Sequence, residues 1–186
     1  MLINSRMVVG VMFVLLVALT LRIGFTSVSP LQGLIQQDMG SLYWQLGLLA
    51  TLPQFASGIF SFLMPWLLER FQPERIVILG LLLIGSLSAV TVVGDTHIAL
   101  FAVMTIVGSG MALTQTSLQS VIKKRYPKYS FRLSSAMVAG MHAGSAIAAL
   151  TTLGLAMSLG SWRYSVLCFG VFALLVCLFW ALVFLR

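Results

Sequence analysis

Apolar residues dominate six stretches of the chain, and short polar or turn-forming segments separate them. A bilayer core of about 30 Å needs about 20 helical residues to cross it, and each stretch is about that long or longer. The pattern predicts six transmembrane helices at 7–36, 43–68, 75–94, 97–121, 132–158 and 164–185. The breaks between them are too short for a domain, so 1–186 is predicted to form a single six-helix transmembrane domain.

Composition agrees with a protein that lies within a membrane. Of the 186 residues, 60% are hydrophobic and only 8% are charged, and the mean hydropathy of +1.06 is far above that of a soluble domain. The net charge of +7 does not indicate nucleic-acid binding, because the basic residues lie in short segments between apolar runs. We therefore predict an all-α membrane protein whose partner is the lipid bilayer, with no nucleic acid.

The basic residues predict the orientation of the helices. Arg163 is the only Lys or Arg in the breaks on one side of the predicted membrane. The other side carries nine: Arg6, Arg70, Arg75, Lys123, Lys124, Arg125, Lys128, Arg132 and Arg186. Because Lys and Arg accumulate in cytoplasmic loops, both termini are predicted to be cytoplasmic. The cluster at 123–132 fits this topology, and a lipid-headgroup or partner site is the alternative.

Arg22 is the one Lys or Arg in the interior of a predicted span, since Arg75 and Arg132 lie at the first residues of theirs. It is fifteen positions from Met7 and from Gln37, or about 22 Å at helical rise, which places it near the bilayer midplane. A charge at that depth costs about 2.5–3.5 kcal/mol on insertion scales, so such residues usually face a bundle interior or a wet cavity. No carboxylate is available in the membrane, since all four acids fall in the breaks: Asp38, Glu69, Glu74 and Asp95.

Polar neighbours extend this candidate site along the first span. Thr26 and Ser29 follow Arg22 at i+4 and i+7, and Pro30 cannot donate to the carbonyl of Thr26, which predicts a kink. The planar guanidinium suits a small anion, or a nitro or carboxylate group whose two oxygens lie side by side. The alternative is that Arg22 binds helix carbonyls or another chain.

Two further spans contribute polar residues. In the fourth span, Gln115 and Gln119 share one helix face at i and i+4 and need partners or water. In the fifth span, His142 lies about 200° around the helix from Gly140 and Gly144. His142 is either a proton carrier in a cavity or a hydrogen-bonded structural histidine.

Small residues recur at every fourth position of the fifth span, a pattern that allows a second backbone to approach closely. The stripe comprises Ala136, Gly140, Gly144, Ala148, Thr152, Ala156 and Gly160. The fourth span has a shorter version at Gly108, Ala112, Thr116 and Ser120. The third and sixth spans carry few polar groups, and the sixth is predicted to contact lipid and one neighbouring helix, with the third nearly as plain.

Enzyme and metal chemistry are not indicated. Neither histidine has Cys, Asp or Glu at ligand spacing, and Val107 interrupts the only segment similar to an intramembrane serine protease pattern. Cys168 and Cys177 are separated by about 13 Å along one helix, which is beyond disulfide reach. No cofactor and no metal are expected.

Three segments resemble a known family: "TLRIGFTSVSPL" at 20–31, "LGLLATLPQFASGIFSFLMP" at 46–65 and "GSGMALTQTSLQSVIKKRYP" at 108–127. They are similar to the cyanate and 2-nitroimidazole permeases of the major facilitator superfamily. In that family the first span carries Leu-Arg followed by small polar residues and a proline. The similarity covers the whole chain but only the N-terminal half of such permeases.

The resemblance implies half of a major facilitator fold, built from two three-helix inverted repeats. It implies alternating-access transport of a small anion or nitro compound, cyanate-like or nitroimidazole-like, across the bacterial cytoplasmic (inner) membrane. Arg22 would contact the substrate and Gln115 and Gln119 would line the same cavity. The full predicted substrate-binding set is Arg22, Thr26, Ser29, Gln115, Gln119 and His142.

The segment at 67–75 is similar to the gating loop of the same family. Glu69 and Arg70 match its acid and base, and Arg75 follows them, while Gln72 stands where a glycine is usual. A six-helix chain alone would expose Arg22 and the glutamines, so a second six-helix half is expected as partner, from the same gene or as a homodimer. The alternative is an isolated half-transporter that has no transport activity of its own and acts as a membrane-embedded domain or partner subunit.

Overall fold

The computed structural model describes residues 5–91 and 96–184, and these residues contain helices and short connections with no strand. The all-α prediction is confirmed for this part of the chain. Its α-helices are α1 (Ser5–Thr26), α2 (Gln32–Met39), α3 (Tyr43–Ser61), α4 (Met64–Arg70), α5 (Pro73–Val90), α6 (His97–Arg125), α7 (Ser130–Ser158) and α8 (Trp162–Phe184). Short 3-10 turns, Ser29–Leu31 and Pro127–Tyr129, precede α2 and α7.

Four helical segments are long and apolar enough to cross a bilayer: Gly10–Met39, His97–Arg125, Pro127–Ser158 and Trp162–Phe184. A fifth arises if α3 and α4, which meet at 56°, form one bent span. The third predicted span corresponds to α5, and its expected end at 94 lies outside the described residues, as do Asp95 and Arg186. The count of six spans therefore stays a prediction.

The first and second predicted spans each contain a break. In the first, the break lies where a kink at Pro30 was predicted, and Gly10–Met39 still counts as one candidate span; in the second, a continuous helix over 43–68 was a wrong prediction. Residues 27–31 separate α1 from α2, and Pro30 lies in the 3-10 turn that forms there. α3 ends at Ser61, and Pro65 occupies the first turn of α4. Proline has no backbone N–H and is tolerated best in the first turn of a helix, and both breaks occur at a proline: Pro30 lies within the first and Pro65 lies just after the second. Pro53, by contrast, lies inside α3.

α6 continues four residues beyond its predicted end at 121, which corrects the break expected at 123–132. Lys123, Lys124 and Arg125 form its last turn, where cations interact favourably with the partial negative charge of the helix C-terminus. Pro127 then begins a 3-10 turn and α7 starts at Ser130. The connection between the two helices is therefore shorter than the sequence suggested.

Glycines allow the helices to pack backbone against backbone. A Cβ added at Gly144 of α7 would collide with the backbone of Leu19 in α1, and one at Gly108 of α6 would collide with the backbone of Pro53 in α3. Both predicted stripes of small residues are thus packing faces, because only residues without long side chains allow this approach. Accordingly, α1 packs most extensively against α7, and α3 packs against α6.

The third and sixth spans also pack closely, and the sixth, α8, contacts α1 and α7 as well as α5, more than the one neighbouring helix that was predicted. α5 contacts both α6 and α8, and a Cβ added at Gly85 of α5 or Gly170 of α8 would meet atoms of the other helix at 3.0 Å or less. The outer side of α8 remains exposed at residues such as Leu178 and Phe179. Each helix therefore has one packed face and one free apolar face.

The described ends of α1 and α8 lie at one end of the bundle, which we call the terminal end. The Phe13 ring of α1 contacts the rings of Trp180 and Phe184, with centroid distances of 6.5 and 5.7 Å. At the opposite end the chain reverses at Gly40 and Gly160, whose φ angles of 64° and 73° are in the left-handed region that glycine adopts without strain. An antiparallel up-and-down bundle results.

Candidate functional site

Arg22 is positioned by the side of α1 that packs against α7. Leu19, one turn before it, lies against Gly144, so the α1 backbone is fixed at this level. The Arg22 side chain is partly buried. Among the described residues it has no ion pair and no hydrogen bond. The structure therefore presents a guanidinium whose charge no carboxylate in this part of the chain neutralises.

The break after α1 places polar groups one and two turns beyond Arg22. Thr26 is the last residue of α1 and donates a hydrogen bond from Oγ1 to Ser145 Oγ of α7 over 3.3 Å. Ser29 begins the 3-10 turn and is exposed. Sequence reasoning identified Thr26 but missed Ser145, which no motif distinguishes from the other small residues of α7.

We expect the Thr26–Ser145 hydrogen bond to be a small stabilising contact. Thr26→Val and Ser145→Ala should each lower the unfolding midpoint slightly, because a hydrogen bond of this kind contributes about 0.5–1.5 kcal/mol. The double variant should lose no more than the larger single loss. Ser135→Ala is the matched control on the same helix, since its hydroxyl bonds only to the carbonyl of Phe131 within α7. Additive losses would contradict a direct interaction.

Gln115 and Gln119 lie on the side of α6 that faces α3. On a helical wheel each falls within about 20° of Gly108, the residue that contacts Pro53. Gln115 is partly buried and Gln119 is exposed. No hydrogen bond joins either of them to Arg22, so the structure brings the three residues into one bundle without a direct hydrogen bond between them.

The depth of the glutamines follows from the antiparallel packing of α1 and α6. Leu21 shares a buried cluster with Met111, and Val14 shares another with Leu118. Arg22 is thus near the level of Met111, and Gln115 is about 6 Å closer to the terminal end at helical rise. Gln119 is one further turn away. A ligand that contacts Arg22 and both glutamines would extend along the bundle axis.

His142 is exposed on the side of α7 away from Gly140 and Gly144. It makes no hydrogen bond to any residue that the structure describes. The prediction of a hydrogen-bonded structural histidine is therefore not met within this part of the chain. The imidazole therefore lies on the free surface of α7.

The predicted gating loop lies at the terminal end. Glu69 and Arg70 are the last residues of α4, and with Lys124 of α6 they line a cavity of about 470 Å³. The Arg70 guanidinium lies 4.8 Å from the centre of the Trp66 ring. Arg75 is exposed in the first turn of α5. Neither Glu69 nor Arg75 forms an ion pair among the described residues.

The ion pairs that the structure contains were not predicted. At the terminal end, Arg125 donates from Nε to Glu74 Oε1 over 2.9 Å. At the opposite end, Arg163 donates to Asp38 Oδ2 over 3.3 Å. Sequence analysis placed both acids in breaks between spans. It could not predict their partners, which lie 51 and 125 positions away in the sequence.

These features define a multi-pass helical membrane protein. Residues 14–186 match the profile of the Major Facilitator Superfamily, and the chain belongs to this family of membrane transporters. It is 32% identical over 167 residues to the 2-nitroimidazole transporter of Escherichia coli, covering 90% of this chain and 42% of that protein. It is 33% identical over 177 residues to the uncharacterized transporter YycB of Bacillus subtilis, covering 94% of this chain and again 42% of the relative.

The family and both relatives indicate a transporter and not an enzyme, as the sequence predicted. The resemblance to 2-nitroimidazole permeases is confirmed by the first of these relatives. The chain spans less than half the length of each relative. The substrate and activity of those whole proteins are therefore not assigned to this chain, and a substrate for it is proposed below.

Proposed function

We propose that the chain transports a small anion, or a compound with a nitro or carboxylate group, by alternating access as one half of a transporter. The observation that carries this proposal is Arg22, a partly buried guanidinium near the middle of the first span with no carboxylate partner among the described residues. Such a charge is costly in a bilayer and is usually retained for a ligand or an ion path. A bound anion would supply the missing counter-charge.

The substrate class follows from the geometry of the guanidinium. Its parallel N–H groups fit two oxygens of one planar group, as in a nitro or carboxylate group, and also bind a small anion such as cyanate. The Escherichia coli relative is named for a nitro compound, 2-nitroimidazole. Thr26 and Ser29 add hydroxyl groups beyond Arg22, and Gln115 and Gln119 add amides towards the terminal end.

A second six-helix bundle would complete the cavity, either in the same polypeptide or as a second copy. Its docking faces would be the free sides of α3 and α7, where Cβ atoms added at Gly47, Gly58 and Gly154 have no atom within 4 Å. These are small residues on exposed helix faces, which allow close helix packing in a membrane. His142 lies on the same free side of α7 and would then face the cavity or the second bundle.

The proposed orientation places the terminal end in the cytoplasm of a bacterium, with the chain in the inner membrane. The distribution of Lys and Arg supports it, because the terminal end carries Lys123, Lys124, Arg125 and the loop at 69–75. In this orientation Glu69, Arg70 and Arg75 occupy the cytoplasmic loop that would control access from that side. The two three-helix inverted repeats remain part of the proposal, supported by the pairing of α1 with α7 and of α3 with α6.

We expect this chain to carry no substrate across a membrane as a monomer, because one bundle cannot enclose a path from one face to the other. The measurement is flux of labelled 2-nitroimidazole or cyanate into proteoliposomes, with cross-linking to establish whether the chain is monomeric or dimeric. Flux in vesicles that contain only cross-link-proven monomers would contradict the expectation. The matched sample is the same preparation reconstituted at high protein density, where dimers form.

The second candidate function is a half-transporter that acts only as a membrane-embedded domain or partner subunit. Its support is the extent of the comparisons, since each relative is more than twice as long as the matched segment. Absence of flux from both monomers and dimers, with retained binding of the substrate, would favour this function over the first.

A further inference from the structure

Two clusters of the same kind of residues lie at opposite ends of the bundle. In the opposite-end cluster, Asp38 Oδ2 accepts hydrogen bonds from Trp162 Nε1 over 3.0 Å and from Arg163 Nη2 over 3.3 Å. The Arg163 guanidinium also lies 5.2 Å from the centre of the Trp162 ring. Trp162 is buried, and only 17% of the Arg163 side chain is exposed. One carboxylate at the end of α2 thus binds two consecutive residues at the start of α8.

The terminal-end cluster also combines an acid, an arginine and a tryptophan, with different contacts. Arg125 at the end of α6 donates to the Glu74 carboxylate over 2.9 Å, and Trp180 Nε1 donates to the Glu74 backbone carbonyl over 3.2 Å. The Arg125 guanidinium lies 4.9 Å from the centre of the Phe184 ring. Burial alone would raise the pKa of Glu74, but hydrogen bonds from its own backbone and from Arg125, with the charges of Arg125 and Lys124, outweigh it and lower the pKa.

The two ion pairs occupy equivalent places in the proposed repeat architecture, on which this part of the inference rests. The opposite-end pair joins the end of the first span to the start of the sixth. The terminal-end pair joins the end of the fourth span to the start of the third. If the first three spans are superimposed on the last three, the first span falls on the fourth and the third on the sixth. Each ion pair then falls on the other, except that the acid takes the place of the arginine and the arginine that of the acid.

We propose that the opposite-end cluster is a clamp that positions α2, and that the terminal-end cluster is its counterpart in the other three-helix group. α1 is held by α7 at Gly144, whereas α2 lies beyond the break at 27–31 and is held by separate contacts. Those contacts are apolar, between Leu31, Ile35 and Trp162, and apolar contact is non-directional. The ion pair supplies the direction, so it sets the angle of the break that carries Ser29, two turns beyond Arg22.

Asp38 and Arg163 are therefore positioning residues for the candidate site, although neither touches it. Because α2 is fixed at its far end, the residues at 27–31 cannot swing away from α7. The clamp also closes one side of a cavity of about 510 Å³ between α2 and the α7–α8 turn. Its loss would let α2 move into or away from this space.

A double-mutant cycle on the full chain tests the clamp. Asp38→Asn retains an oxygen that can accept from Trp162 but removes the charge, and Arg163→Gln removes the guanidinium. Each single variant should lower the unfolding midpoint by about 2–4 °C, the shift expected when a chain of this length loses one hydrogen-bonded ion pair. The double variant should lower it by no more than the larger single shift. Asp38→Glu, which restores the charge, should recover part of the loss. Glu69→Gln is the control, because Glu69 is exposed and has no ion pair among the described residues.

Additive shifts, or shifts no larger than that of Glu69→Gln, would overturn the clamp. The positioning role has its own measurement, which is the KM for transport in the active assembly. Asp38→Asn should raise KM several-fold with little change in kcat, whereas a purely structural role would leave KM of the folded protein unchanged and overturn the positioning. If the unmodified protein transports no substrate, the proposed function fails. In that case the binding affinity of Asp38→Asn for 2-nitroimidazole or cyanate is measured in place of KM. The double-mutant cycle of unfolding midpoints tests the clamp in either case.

Discussion

Arg22→Ala is expected to abolish substrate transport while the protein still inserts into the membrane. The guanidinium is the only charge near the middle of a described span, and no carboxylate among the described residues binds it. Losing hydrogen bonds from a charged group costs about 1.5–3 kcal/mol, which is about a 10- to 150-fold loss in affinity. The measurement is uptake of labelled 2-nitroimidazole or cyanate in membranes that hold the active assembly.

The stability of the same variant separates a ligand role from a structural one. An arginine at this depth costs about 2.5–3.5 kcal/mol on insertion scales, so Arg22→Ala should unfold at the same or a higher midpoint than the unmodified protein. Arg22→Lys should restore little transport, because the ammonium retains the charge but not the planar pair of donors. Arg132→Ala is the matched control, since Arg132 is exposed at the start of α7. Full transport by Arg22→Ala would remove Arg22 from the site.

Gly144→Leu is expected to prevent α1 from packing against α7. The added side chain would occupy the space of the Leu19 backbone, and backbone yields less than the end of a flexible side chain. Overpacking costs about 1–3 kcal/mol where side chains can adjust. For a chain of this size we expect the unfolding midpoint to fall by about 10 °C, with loss of monodisperse protein in detergent. Thermal unfolding and size-exclusion chromatography measure both effects.

Gly154→Leu is the matched control for this substitution, because it makes the same change on the same helix. A Cβ added at Gly154 has no atom within 4 Å, so the bundle should fold as before. Equal unfolding midpoints for the two variants would mean that close approach at Gly144 does not stabilise the bundle. Since Gly154 is on the proposed docking face, a selective loss of assembly by Gly154→Leu would in turn support that face.

Periodicity was enough to predict the packing faces. The small residues of α7 recur every fourth position, and this spacing places Gly140 and Gly144 on one line along the helix whatever surrounds it. The structure places α1 against that line. The predicted kink at Pro30 follows in the same way from the missing N–H, although the extent of the break, over residues 27–31, depends on how α2 packs.

The arrangement of the polar residues was less accessible from sequence. Gln115, Gln119 and Arg22 each follow from local composition, but their relative depth depends on the antiparallel register of α1 and α6. Ser145 resembles the other small residues of α7 until Thr26 is placed 3.3 Å from it. Helical spacing describes one helix at a time and contains no information about the neighbouring helix.

The sequence by itself determined that this protein lies in a membrane, that it is helical, and that it belongs among the major facilitator transporters. Those properties depend on composition, on the periodicity of apolar residues and on short sequence motifs, all of which can be read over short stretches of the chain. The tertiary structure alone decided which charges pair, because Asp38 with Arg163 and Glu74 with Arg125 meet only after the spans pack. Apolar helices can pack in many ways, and the partners of their few polar groups are fixed by the packing that is finally adopted.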